Sequence, residues 1–130
     1  FENRDQPLNP LLMVLSYGAS WVGQGYAGRP HELSELIGQA IAHRGFSYLH
    51  ILSPCVTFDK TDLTYENLDL AVRDLPDDHD SSSRMAALRE AERGGRPQLG
   101  VYYREQRPTL GQALDDIARQ AGGLSRVAAE

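Results

Sequence analysis

A chain of 130 residues holds the material for one domain or a piece of a larger one. With 41% hydrophobic and 24% charged residues it has an ordinary globular composition, and a net charge of −5 without any basic run argues against a general nucleic-acid binder. Its longest strongly apolar stretch, residues 11–15, is too short to span a membrane, and a single cysteine excludes an intrachain disulfide and fits a reducing, cytoplasmic compartment.

The elements follow in chain order. The chain opens on Phe1, with no basic segment ahead of the first apolar stretch, so no signal peptide is legible and the natural start is expected upstream. Asn9 as N-cap, Pro10 at the first helical position and Gly18 as a stop predict a short helix. "ASWVGQGYA" then reads as a strand. From Pro30 a second helix is expected, with Leu33, Leu36, Ile37, Ala40 and Ile41 forming one apolar stripe and Gly45 closing it. "FSYLHIL" is a second strand ending at Ser53. This alternation of helix and strand is the grammar of an open α/β sheet with buried parallel strands.

Beyond Cys55 the pattern is an irregular stretch leading into a short helix ("TDLTYENLDLAVRDL"), a loop ("PDDHDSSS") and a helix ("SRMAALREAERGG"). A short strand ("QLGVYYRE") follows, then a terminal helix expected to dock by Leu110, Ala113, Leu114 and Ile117. Residues 1–58 carry four acids and three bases, against fourteen and ten in residues 59–130. The first part therefore reads as the buried core of a domain and the second as an exposed, peripheral extension.

Three motifs have plainer readings than their patterns suggest. "GQGYAG" (23–28) matches a dinucleotide-binding fingerprint, but its glycines lie in and just after a strand, and the next strand ends without an acidic residue for a ribose. "HELSE" (31–35) has Glu35 where the zinc motif requires histidine, and reads as a solvated first turn. "DLPDDHD" (74–80) lacks the glycine of a calcium loop, and Asp80 reads as a helix cap.

Cys55 stands apart. Its residue type suits a small buried hydrophobe. Its place past the carboxyl end of a strand suits a site, where the thiol could be a nucleophile or a metal ligand. No histidine–acid pair to activate a nucleophile is evident in the sequence.

Taken together, "NPLLMVLSYGASWVGQGY", "HELSELIGQAIAHRGFSYLHILSPCVTF" and "GVYYREQRPTL" resemble the C-terminal part of the beta subunit of 2-oxoacid:ferredoxin oxidoreductases, the two-subunit type that often acts on 2-oxoglutarate. The resemblance spans residues 8–60 and resumes from about Asp78 to Leu110. It implies an α/β fold: residues 1–58 as a fragment of the open, mostly parallel sheet of a thiamine-diphosphate-binding domain, and residues 59–130 as a C-terminal extension. It also implies oxidative decarboxylation of a 2-oxoacid with coenzyme A, electrons passing through a [4Fe–4S] cluster to ferredoxin.

In that family the cysteine of "SPC" is the fourth cluster ligand. Cys55 takes that role by resemblance, with Ser53, Pro54, Val56 and Thr57 shaping the cofactor-binding loop; no catalytic residue is assigned. The segment that holds Mg2+ and thiamine diphosphate has no counterpart here, so the chain alone is expected to be inactive. Its implied partners are the remainder of the beta subunit, an alpha subunit and ferredoxin, with no nucleic acid and no membrane. Two other readings stand beside this one: a non-catalytic α/β assembly domain, and the C-terminal region of another thiamine enzyme without a cluster.

Overall fold

The computed structural model describes residues 7–55, 57 and 64–127. Helix α1 (Pro10–Ser16) starts as its sequence requires: Asn9 Oδ1 accepts from the Leu11 and Leu12 N–H groups at 3.1 and 3.2 Å, satisfying two donors that the first turn leaves unpaired. Strand β1 (Trp21–Tyr26) is buried along its whole length. Helix α2 (Pro30–Ala42) returns the chain to β2 (Ser47–Leu52), which pairs parallel to β1 in the register Trp21↔Ser47 to Tyr26↔Leu52.

Then come α3 (Tyr65–Ala71), capped by Thr64, the two-residue strand β3 (Arg73–Asp74), and α4 (Arg84–Glu92). The N-cap of α4 is Ser83, which accepts from the Ala86 N–H at 3.2 Å. This corrects the expectation for Asp80, whose carboxylate instead accepts from the Ser82 N–H and hydroxyl at 2.9 and 2.6 Å, closing a turn ahead of the helix. Strand β4 (Gln98–Arg104) and helix α5 (Leu110–Val127) complete the order.

The sheet runs β2-β1-β4-β3. Its two outer pairings are parallel, and β4 lies antiparallel to β1 with a bulge opposite Val22 and Gly23. Helix α2 covers one face, over Trp21, Gly23 and Gly25; α1 and α4 cover the other. That second face carries the main core, where Leu11, Val14, Leu15 and Val22 meet Ala87, Ala91, Tyr102 and Tyr103. Burying Leu15 or Val22 this completely contributes roughly 1.5–3 kcal/mol each.

The peripheral reading of residues 59–130 therefore needs correction. Charge density marks residues 59–130 as a whole as exposed, but β4 is an interior strand and α4 packs on α1 across about seventy residues of sequence, because β1 has two edges to satisfy. The α2 stripe also divides: Leu36 is buried and Leu33 and Ala40 half-buried, while Ile37 and Ile41 are exposed. Helix α5 forms where expected, yet the described residues leave its apolar face uncovered, with Leu110, Leu114 and Ile117 76%, 54% and 61% exposed.

Candidate functional site

The carboxyl ends of β1 and β2 lie side by side, joined past the last register pair by Ala27 N–H donating to Leu52 O at 2.9 Å. Cys55 follows three residues on, half-buried, with Pro54 half-buried beside it and Ser53 and Thr57 exposed. Val56 lies outside the described residues. Cys55 thus lies past the strand ends, where open α/β sheets gather their ligands. Among the described residues no three His, Cys, Asp or Glu side chains come together to hold a metal ion.

Around that edge the chain builds polar supports. Tyr26 is fully buried and donates its hydroxyl to Tyr65 O at 3.2 Å; burial first, and then the Asp69 carboxylate, push its pKa up to about 12. Arg29 bridges Glu32 and Asp74 at 3.2 and 2.8 Å, tying the start of α2 to β3. In the middle of the sheet Gln24, buried, donates from Nε2 to Gln98 O at 2.9 Å, and its Oε1 meets His50 Nδ1 at 2.8 Å. Nothing in the local sequence marked this pair, since residues 24 and 50 are joined only by strand register.

The other motifs resolve into packing. A side chain at Gly23 would overlap the Trp21 ring at 2.6 Å, and one at Gly25 would overlap Leu33 at 2.7 Å. Those glycines let α2 and the indole lie close on β1, which accounts for "GQGYAG" without a phosphate. His31 and Glu35 face each other at 3.7 Å on the exposed first turn of α2. At the amino end of the sheet Ser20 Oγ accepts from Phe46 N–H at 3.1 Å and contacts His43 Nε2 at 2.9 Å, pinning the turn before β2. Gly45, at φ +144°, lies against this hydroxyl: a Cβ there would stand 2.4 Å from Ser20 Oγ.

The comparisons with known proteins agree with one another. The family model described as the C-terminal part of the pyruvate ferredoxin oxidoreductase beta subunit matches residues 55–119. The beta subunit of the 2-oxoacid:ferredoxin oxidoreductase of Saccharolobus solfataricus is 29% identical over 116 residues, covering 80% of this chain and 38% of that protein. Subunit beta of the 2-oxoacid:ferredoxin oxidoreductase 2 of Aeropyrum pernix is 29% identical over 123 residues, covering 85% and 40%. A solved 2-oxoglutarate:ferredoxin oxidoreductase from Magnetococcus marinus, with 2-oxoglutarate, coenzyme A and succinyl-CoA bound, superposes with a TM-score of 0.87 at 41% identity, over 94% of this chain and 42% of that one. The chain spans about two fifths of the length of these relatives.

Proposed function

The chain belongs to the family formed by the C-terminal part of pyruvate ferredoxin oxidoreductase beta subunits, whose model matches half of it, and from that membership we propose that it works as part of the beta subunit of a 2-oxoacid:ferredoxin oxidoreductase. The reaction is the oxidative decarboxylation of a 2-oxoacid, 2-oxoglutarate by preference, with coenzyme A to an acyl-CoA and electrons delivered to ferredoxin. The observation that carries this reading is the superposition on the Magnetococcus marinus enzyme across almost the whole chain.

Within that reading residues 1–58 end a larger thiamine-diphosphate-binding sheet and residues 59–130 form its C-terminal extension. The family match beginning at Cys55 supports the division. The outer edge of β2, which pairs with no strand among the described residues and carries the exposed Ile51, supports a larger sheet. A bare edge is the kind of surface that a further strand covers. Among the described residues no helix is long and apolar enough to cross a membrane.

When bound, thiamine diphosphate with Mg2+ supplies the electron sink for decarboxylation and a [4Fe–4S] cluster the one-electron path to ferredoxin. This chain's own part is narrower. Cys55 offers a thiolate to the cluster; Pro54 stiffens its approach from β2, and Ser53, Val56 and Thr57 shape the loop, whose N–H groups are the means of tuning a sulfur ligand. Tyr26 and the Arg29 bridge hold the neighbouring ends of β1 and α2 in place.

The test is Cys55→Ala in the complete complex. Loss of the ligand should lower iron per protein and change the paramagnetic resonance of the reduced cluster, while bound thiamine diphosphate stays. Unchanged iron and an unchanged spectrum would take Cys55 out of the site and return it to the role of a core thiol.

A further inference from the structure

The polar chain through Gln24 has a direction that simple chemistry sets. Gln98 O is a carbonyl and can only accept; it takes the Gln24 amide N–H at 2.9 Å and the Tyr102 hydroxyl at 3.1 Å, which fills both its lone pairs. Gln24 must therefore turn its Oε1 toward His50, and Nδ1 of His50 must carry the proton it donates across 2.8 Å. The ring then has an acceptor at Nε2, which takes no hydrogen bond among the described residues. Burial lowers the pKa of His50, which favours the neutral ring.

His50 lines a cavity of about 440 Å³ toward the carboxyl ends of β1 and β2, a volume in the range of small-molecule sites. Its walls include Leu11, Leu52 and Tyr102, and the buried Gln24 forms part of its polar end. Two charged side chains of opposite sign line it, Glu90 and Arg96, and Glu90 also pairs with Arg93 at 3.1 Å. With apolar walls and a single free acceptor at His50, the site asks for shape and one donor.

We propose that this cavity binds an uncharged small molecule with an apolar body and one hydroxyl or amide N–H, donated to His50 Nε2. Gln24 acts as the positioning residue: buried and held by Gln98, it fixes the tautomer that makes Nε2 an acceptor. The inference rests on the described geometry alone and stands apart from the oxidoreductase reading.

Phenol and anisole make a suitable pair of probes, since they share the ring and differ in the O–H donor. In the full chain, titration with phenol should give saturable shifts at the His50 ring nitrogens and at the amides of Gln24, Leu52 and Gln98. Anisole should bind roughly five- to tenfold more weakly, the loss of one hydrogen bond. His50→Phe should bring the two probes level. On the unaltered chain, long-range proton–nitrogen correlations should place the His50 proton on Nδ1. Equal affinity for the two probes, no saturable shift up to about 50 mM phenol, or a proton on Nε2 would overturn the proposal.

Discussion

Arg84 is the side chain on which the two halves of this fold most visibly depend. It leaves the first turn of α4, passes over the Tyr103 ring at 4.4 Å, and donates to Leu15 O and Ala19 O at 2.5 and 3.3 Å, with Glu105 a further 3.8 Å contact. The carbonyl of Leu15, at the end of α1, takes only a long bond from the Gly18 N–H at 3.3 Å, so the guanidinium adds a charged donor to that helix end from 69 residues away. Hydrogen bonds from a charged donor contribute about 1.5–3 kcal/mol, the ring contact about 0.5–1, and the half-exposed Glu105 pair little. Allowing for shared geometry, Arg84→Met, which keeps the stem, should cost about 2–4 kcal/mol. With a urea slope near 2 kcal/mol per molar, the unfolding midpoint falls by about 1–2 M at unchanged slope. Arg84→Lys should recover less than half, because a point charge cannot serve both carbonyls as a planar fork does. A midpoint shift below about 0.3 M for Arg84→Met would refute the cross-link and mean that α1 and α4 hold together by apolar packing alone.

Other expectations follow from single contacts. Gly45→Ala combines a left-handed backbone with a Cβ against Ser20 Oγ and should cost about 2 kcal/mol or more, a fall of roughly 5–10 °C in the thermal midpoint; an unchanged midpoint would show that the turn before β2 can shift freely. His50 has its pKa lowered by burial, so the unfolded chain binds the proton first as pH falls through 6.5. Its stabilisation is complete above that value and is lost toward the folded pKa, and urea midpoints at pH 7.5 and 5 should converge partly in His50→Phe. Leu114→Asp, on the exposed face of α5, should change the stability of the chain by less than about 0.5 kcal/mol, and faster hydrogen exchange in the core would contradict that placement.

What could be read from the sequence was local or periodic. Asn9, Pro10 and Gly18 bracketed α1, Pro30 and Gly45 bracketed the path of α2, and the aliphatic run before Ser53 marked β2, because caps and breakers act within a turn of themselves. The insertion of β4 between β1 and β3 had no such signal. It depends on pairings such as Gln24↔Gly100, far apart in the chain, and the short apolar run there fits an edge or an interior strand equally well. Periodicity marked the apolar faces of α2 and α5 but not their partners: Leu36 found the sheet, whereas Ile41 and Leu114 face outward among the described residues. At the candidate site, the place of Cys55 beyond a strand end was legible. The Gln24–His50 pair was not, since strand register alone brings it together.

Whether this chain serves a 2-oxoacid:ferredoxin oxidoreductase is decided by ferredoxin reduction in the purified complex that contains it. Reduction should require both 2-oxoglutarate and coenzyme A and should yield succinyl-CoA in step with the electrons delivered. A complex that reduces no ferredoxin with 2-oxoglutarate, pyruvate or another 2-oxoacid, or that does so without forming an acyl-CoA, would contradict the account.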